Sequence, residues 1–184
     1  TRGKHAAGSK SVHLPPMSIW FADVTLEHII HRGANTLVDH LGIRFIELGP
    51  DYLRATMPVN DTTRQVMGVL HGGASVALAE TVGSFGANLC LNTERYVAMG
   101  QEINANHLRP VASGLVTATA RPYHVGARSH VWHIEIHDER KRLVCISRLT
   151  MAVIDRAGAA GSGTTAAGSG ATSAGAASSG ATPA

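Results

Sequence analysis

The stretch from residue 71 to residue 91 constrains the fold of this chain more than any other part. It is rich in Ala, Gly, Val and Leu, and Glu80 is the one Asp, Glu, Lys or Arg residue between Arg64 and Glu94. Such a run is too long for a single strand, and its alanine content favours a helix. Because the segment is apolar almost all around, we expect a helix that is buried on most sides.

The segments on either side of this helix follow other patterns. Short helical segments are predicted at 25–32 and 35–40, and strands at 43–48 and 52–59. After the long helix the hydrophobic period changes to two, which predicts four strands at 96–108, 115–123, 128–137 and 143–154. One antiparallel sheet wrapped around one long helix, an α+β fold, accommodates this order.

The two ends of the chain differ in composition from the rest. Residues 157–184 contain no charged and no large apolar side chain, so we expect a disordered low-complexity tail. Residues 1–16 hold three basic and no acidic side chains, and we expect a disordered extension or a remnant of expression cloning. The folded domain is therefore predicted at 17–156, a segment of ordinary domain size.

Charge and composition argue against several classes of partner. The net charge of +3 lies in the first 16 residues and no basic stripe accompanies the few aromatic side chains, so we expect no nucleic-acid partner. No apolar run reaches the ~18 residues of a membrane helix and no signal peptide is visible, so we expect no membrane partner and a cytoplasmic location. Cys90 and Cys145 stand far apart without a CxxC motif, which favours two reduced thiols.

The long helix carries groups suited to attack on an acyl carbonyl. Glu80 is a candidate nucleophile or general base, because an isolated carboxylate in apolar surroundings is typical of reactive sites. Gly72 and Gly73 stand at the helix start, where free backbone N–H groups attract an oxyanion. Ser84 follows Glu80 by one turn on the same face. The alternatives are a Glu80 side chain that simply reaches solvent and glycines that only allow tight packing.

Helix geometry predicts that two chains share one site. Gly72 and Glu80 are eight residues apart, about 12 Å along a helix, so one carbonyl cannot contact both within one chain. If both act on one carbonyl, they come from two central helices that pack side by side and antiparallel. The expected assembly is then a two-fold homodimer with two shared active sites.

The motif from Gln65 through His71-Gly72-Gly73 to Glu80 and Ser84 resembles the hotdog-fold acyl-CoA thioesterases. The most similar branch is that of the 4-hydroxybenzoyl-CoA and 1,4-dihydroxy-2-naphthoyl-CoA thioesterases, related to the phenylacetate-degradation type. The resemblance continues through 102–109, 123–128 and 148–150 and extends over about 18–154. It implies a hotdog fold, in which the sheet wraps around the central helix.

The resemblance also implies roles for individual residues. Glu80 would attack the thioester or activate water, and the backbone N–H of Gly72 would polarise the thioester oxygen. Gln65 and His71 of the partner chain would support the oxyanion and orient the substrate, while Ser84 would position water or the acyl group. The implied CoA-binding residues are His107, Arg109, Gly126 and Arg128. Ala127 stands where relatives often have Ser, which removes one expected hydroxyl contact with the nucleotide.

The function expected from these observations is hydrolysis of an aryl- or medium-chain acyl-CoA to free acid and CoA. No cofactor and no metal are expected, and both a homodimer and a dimer of dimers remain open. One alternative is a non-catalytic acyl-CoA-binding hotdog module, although a binder has no need of Gln65, His71, Gly72 and Glu80 together. Another is a hotdog hydratase or dehydratase.

Other motifs support no function of their own. His133, Glu135 and His137 alternate along one strand, and we interpret them as a solvated face rather than metal ligands. His28 and His31 form a similar surface pair one turn apart. No GxSxG elbow is present, which argues against a serine-hydrolase triad.

Overall fold

The fold follows from a computed structural model in which residues 18–30 and 32–159 are described. Two short helices, α1 (Glu27–Ile30) and α2 (Leu37–His40), precede strands β1 (Arg44–Leu48) and β2 (Leu53–Pro58). Helix α3 (Gly72–Leu89) follows, and then β3 (Tyr96–His107), β4 (Leu115–Val125), β5 (Ser129–Asp138), β6 (Leu143–Asp155) and α4 (Arg156–Ala159). This order confirms the predicted succession of helices and strands.

The six strands form one antiparallel sheet in the order β1-β2-β4-β5-β6-β3. Helix α3 packs along β2 to β6, and its Phe85 also contacts Phe45 of β1, with ring centroids 4.6 Å apart. The expected α+β hotdog architecture is thereby confirmed. Strand β3, at one edge, pairs on one side with β6, and no strand of the described chain pairs with its other side.

Strand β5 shows why the sequence folds as a sheet with one covered face. Its residues alternate between buried and partly exposed along the whole strand. Trp132, Ile134 and Ile136 are fully buried under α3. His133 and Glu135 lie on the outer face, where polar groups stay in contact with water.

Small residues let helix α3 approach the sheet closely. A Cβ atom on Gly83 would lie 2.7 Å from the side chain of Leu149. A Cβ atom on Gly86 would lie 2.9 Å from the ring of Trp132, which itself stacks on Trp20 with ring centroids 6.4 Å apart. The large side chains of the core therefore come from the sheet, and the helix supplies the space for them.

The predicted tails fall largely beyond the described residues. Residues 1–17, residue 31 and residues 160–184 all lie outside them, so the predictions made there are not addressed by the fold. Helix α4 contains the first three residues of the predicted C-terminal tail. In the described ranges, no helix is both long enough and apolar enough to cross a bilayer.

Candidate active site

One face of helix α3 is left uncovered by the sheet and lines a cavity of about 470 Å³. We call it the open face and define it by the residues that line this cavity: Gly73, Val76, Ala77, Glu80, Thr81, Ser84 and Phe85. Leu37 and Val38 of α2 form the opposite wall. Thr36 fixes the start of α2, because its hydroxyl accepts a hydrogen bond from the Val38 N–H at 3.3 Å. The cavity is apolar apart from Glu80, Thr81 and Ser84.

The carboxylate of Glu80 rests against the backbone of strand β3. A Cβ atom on Gly100 would lie 2.7 Å from Glu80 Oε1, so the carboxylate occupies space that any larger residue would fill. Glu80 is half-buried rather than enclosed, because one side of it borders the cavity. The cavity therefore gives a substrate direct access to the carboxylate.

Asn88 ties helix α3 to strand β3 beside this position. Its side-chain amide donates to the backbone oxygens of Ser84 at 2.9 Å and Ala98 at 3.1 Å, and its Oδ1 accepts from the Ala98 N–H at 2.9 Å. Ala98 is two residues before Gly100 on the same strand. These hydrogen bonds set the distance between the helix and the strand and so hold Glu80 in place. The Ser84 Oγ lies 3.7 Å from the sulfur of Met151.

The N-terminus of α3 is capped by a histidine. His71 Nδ1 accepts a hydrogen bond from the Gly73 N–H at 2.8 Å. An accepting Nδ1 carries no proton, so the neutral ring has its proton on Nε2, where it can donate to a ligand. The N–H of Gly72, the first residue of the helix, has no acceptor within the helix and remains suited to bind an oxyanion.

Gln65 lies in the loop that precedes α3. Its Oε1 accepts a hydrogen bond from the Met67 N–H at 2.6 Å, and its backbone oxygen accepts one from Gly68 at 2.9 Å. This leaves the side-chain NH₂ group as a donor. At the loop tip Val66 is fully exposed and Met67 is 79% exposed.

The predicted residues fall into two half-sites within one chain. We call the first the glutamate half, formed by Glu80, Ser84 and Gly100, and the second the amide half, formed by Gln65, His71, Gly72 and His107. His107 belongs to the second because its Nε2 would lie 2.8 Å from a Cβ atom on Gly72. On β6, Met151 stands opposite Gly100 and Cys145 stands opposite His107. Six residues of strand separate those positions, about 20 Å, so one chain does not bring the halves together.

The predicted CoA-binding residues are divided in the same way. Arg109 follows His107, and its guanidinium donates to the Leu143 backbone oxygen at 2.7 Å. Gly126 and Arg128 lie in the β4–β5 hairpin, where the Gly126 N–H donates to Ser129 at 3.0 Å. The Arg128 carbonyl accepts from the Val153 N–H, beyond Met151 on β6 and away from Cys145. One chain therefore does not place all four residues on one ligand.

Among residues 18–30 and 32–159, the cysteines and the histidine cluster on β5 offer no competing chemistry. Burial raises the pKa of Cys90 to about 12, and burial also raises the pKa of Cys145, so neither thiol is a ready nucleophile at neutral pH. His133 and His137 each approach Glu135, at 3.2 Å and 3.8 Å. Within the described residues no three His, Cys, Asp or Glu side chains are arranged to hold a metal ion.

Comparison with known proteins identifies the family. The family model described as "Thioesterase superfamily" matches residues 67–145. The 1,4-dihydroxy-2-naphthoyl-CoA hydrolase of Escherichia coli (strain K12) is 49% identical over 136 residues, which span 74% of this chain and 99% of that protein. The crystal structure of a thioesterase from Haemophilus influenzae matches with a TM-score of 0.72 and 50% identity, over 74% of this chain and 95% of that one. This chain belongs to the hotdog-fold thioesterase superfamily.

A further relative agrees with this assignment. The proofreading thioesterase EntH of Cronobacter turicensis is 47% identical over 136 residues, 74% of this chain and 98% of that protein. The resemblance seen in the sequence is confirmed, and the protein is a thioester hydrolase of this superfamily. This favours hydrolysis over the binding module and the hydratase.

Two residues of the thioesterase site were not among the predicted ones. Gly100 makes room for Glu80, and a glycine in the interior of a predicted strand is a signal that could have indicated a close approach. Asn88 was a polar residue in an apolar helix, eight positions after Glu80 and therefore close to the same face. Its partners on β3 were not visible in the sequence.

Proposed function

We propose that this thioesterase hydrolyses an aryl- or medium-chain acyl-CoA to the free acid and CoA, with Glu80 as nucleophile or general base. The observation that carries the proposal is the cavity on the open face, where Glu80 and Ser84 are set among apolar walls. Val76, Ala77 and Phe85 offer such an acyl group a surface without competing charges. The names of the Escherichia coli relative and of EntH support a thioester substrate.

Two routes lead to the same products. In the first, a carboxylate oxygen of Glu80 attacks the thioester carbon, CoA leaves as the thiolate, and water then hydrolyses the anhydride. In the second, Glu80 takes a proton from water while the water oxygen attacks the same carbon, and the C–S bond then breaks and releases CoA, whose thiolate takes up that proton. Both routes place negative charge on the thioester oxygen. The Gly72 N–H and the positive end of the α3 dipole would stabilise that oxygen.

The donors for this oxygen come from a partner chain in our proposal. The glutamate half and the amide half are far apart in one chain. A partner chain, related by a two-fold axis, must therefore bring its amide half to Glu80 of the other chain. The open edge of β3 supports such a dimer, since twelve residues of strand are available there for pairing. Val76 is midway between Gly72 and Glu80, so two antiparallel helices would cross near it.

The same dimer would complete the remaining parts of the site. Gln65 and His71 of the partner each present a side-chain N–H to the thioester oxygen or to the substrate, and Ser84 holds water or the acyl group beside Glu80. His107 and Arg109 from one chain, with Gly126 and Arg128 from the other, would bind CoA. Arginine suits this role because its guanidinium matches a phosphate in geometry. A dimer of dimers is compatible with the same arrangement.

Release of free thiol from a panel of acyl-CoA thioesters tests the reaction. The wild-type protein should hydrolyse aryl- or medium-chain members, and Glu80→Gln should lower kcat/KM by about 10²–10⁴-fold because it removes the catalytic base or nucleophile. Glu139→Gln, on an exposed hairpin, is the matched control and should retain wild-type turnover. Equal turnover by Glu80→Gln and wild type would exclude the assigned mechanism.

Mixing two inactive variants tests whether chains share sites. Glu80→Ala and Gln65→Ala lie in different halves, so a mixed dimer contains one intact site. Random mixing should restore roughly a quarter of the wild-type activity, because half of the dimers are mixed and each has one intact site of two. Glu80→Ala mixed with Ser84→Ala is the control, since both lie in the glutamate half and no intact site forms. Equal activity of the two mixtures would contradict shared sites.

A further inference from the structure

A second cavity continues the first along helix α3. It measures about 330 Å³ and is lined by Arg32, Ser84, Phe85, Asn88 and Leu89. Ser84 and Phe85 line both cavities, so the two cavities adjoin along helix α3, and we call them together the groove. Glu80 lies in one part of the groove and Arg32 lies in the other. Arg32 has no role in the mechanism proposed above.

Arg32 differs from most other arginines of the molecule in its lack of a partner. Seven arginines form ion pairs with carboxylates: Arg44, Arg54, Arg64, Arg95, Arg121, Arg142 and Arg148. Within the described residues, no carboxylate lies within 4 Å of the Arg32 guanidinium. Glu94 and Arg32 both line a third cavity of about 370 Å³, but the Glu94 carboxylate is not within 4 Å of the Arg32 guanidinium. The guanidinium therefore has all its donors available to a ligand.

The length of the groove limits the size of an acyl group that could contact both Glu80 and Arg32. The cavity that Arg32 lines extends along helix α3 from Ser84 to Leu89, and Asn88, near its far end, is eight residues after Glu80, about 12 Å along the helix. Attack at the carbonyl carbon and a hydrogen bond at the far end each take up about 3 Å. About 6 Å remains, which a six-carbon chain or a para-substituted benzene ring spans.

We propose that Arg32 is a specificity residue that binds a carboxylate at the far end of the acyl group. The inference rests on the proposed function, because the acyl group must enter the groove with its thioester at Glu80. Phe85 and Leu89 flank the path, so a ring or a methylene chain has apolar contacts until it reaches the guanidinium. The planar fork of arginine then accepts a carboxylate by two parallel hydrogen bonds. The preferred substrates are therefore CoA thioesters of dicarboxylic acids.

Two matched pairs of thioesters test this specificity. Hexanoyl-CoA and adipoyl-CoA have the same number of acyl carbons and differ in a terminal methyl or carboxylate, and benzoyl-CoA and 4-carboxybenzoyl-CoA form the aryl pair. In at least one pair, the ratio of kcat/KM for the carboxylated over the plain member should fall ten- to a hundredfold in Arg32→Leu, as expected for loss of a charge-assisted hydrogen bond. Arg32→Lys should retain part of the preference, and Arg32→Glu should lower it further than Arg32→Leu.

Arg140→Leu is the control for a change of net charge. Arg140 is likewise exposed and has no carboxylate partner in the described chain, but it lies in the β5–β6 hairpin, away from the groove. This variant should leave both ratios unchanged. Ratios in Arg32→Leu and Arg32→Glu that equal the wild-type ratios would overturn the inference and leave the proposed function intact. An absence of turnover with all four thioesters and with the wider panel would instead contradict the proposed function.

Discussion

The two faces of helix α3 are built from similar small residues but differ in what lies over them. The sheet-facing side, with Leu78, Val82, Gly83 and Gly86 among its members, is covered by large side chains from the strands. The open face carries Glu80, Ser84 and Phe85 beside a cavity. Close packing on one face gives the helix a fixed position, and that fixed position allows the other face to present a carboxylate with defined geometry.

A large-to-small change on the sheet-facing side should produce the largest loss of stability. Leu78 is fully buried, and Leu78→Ala should lower the free energy of unfolding by about 2–5 kcal/mol, because it removes apolar contacts and leaves a cavity. Urea denaturation at fixed protein concentration measures this change. Glu80→Gln, two residues further along the helix but on the open face, should change stability by less than about 0.5 kcal/mol. Similar losses of unfolding free energy in both variants would show that the sheet-facing side is not the main source of stability.

A methyl group on strand β3 should disturb the open face alone. Gly100→Ala places a Cβ atom only 2.7 Å from the present position of Glu80 Oε1, so the carboxylate must move. We expect kcat/KM to fall about ten- to a hundredfold through misplacement of the reacting group. Combining Gly100→Ala with Glu80→Asp tests whether displacement of the Glu80 carboxylate causes this loss of activity. If displacement is the reason, the double variant should be about as active as Glu80→Asp alone, whereas independent effects would multiply.

Acidification should lower the unfolding free energy through His130, which lies on the covered side of the sheet. This residue is fully buried on β5, and burial, with a smaller contribution from His124, lowers its pKa below the ordinary 6.5. The unfolded chain therefore binds a proton more readily than the folded one, and stability falls as the pH drops below 6.5. We expect a slope of up to about 1.4 kcal/mol per pH unit from this group.

A comparison of His130→Leu with His133→Gln shows how much of the pH dependence comes from the His130 imidazole. His130→Leu should flatten the dependence of unfolding free energy on pH between pH 7 and pH 5, since no buried imidazole remains to be protonated. His133 lies on the outer face of the same strand, and His133→Gln should keep the wild-type direction of the slope. A wild-type slope that persists in His130→Leu would assign the pH dependence to other groups.

The start of α3 should show a smaller effect on stability than the buried core. His71→Ala removes the acceptor for the Gly73 N–H and should cost about 1 kcal/mol, as other helix caps do. His71→Asn supplies a new capping oxygen and should restore most of this stability. If the imidazole also orients substrate, His71→Asn should regain stability without regaining kcat/KM. Recovery of both would limit His71 to a structural role.

Much of the fold could be predicted because local patterns agreed with the final structure. The period-two alternation around Trp132 and Ile134 predicted a strand with one covered face, and that face lies under α3. The Ala- and Gly-rich run predicted the central helix to within two residues of its ends. For the candidate site, the spacing of Gly72 and Glu80 already predicted that one chain cannot bring both groups to one carbonyl, since the rise per residue is fixed in a helix.

Other features depended on contacts that join distant segments. The sequence by itself determined the helix, the alternation of the strands and the chemical groups, because these follow from local periodicity and residue type. Only the tertiary structure decided that Gly100 makes room for Glu80, that Asn88 joins α3 to β3, and that Arg32 borders the same groove. Each of these contacts depends on how the sheet curves around the helix and on which strand lies at its edge. That arrangement results from packing of the whole core rather than from any local pattern.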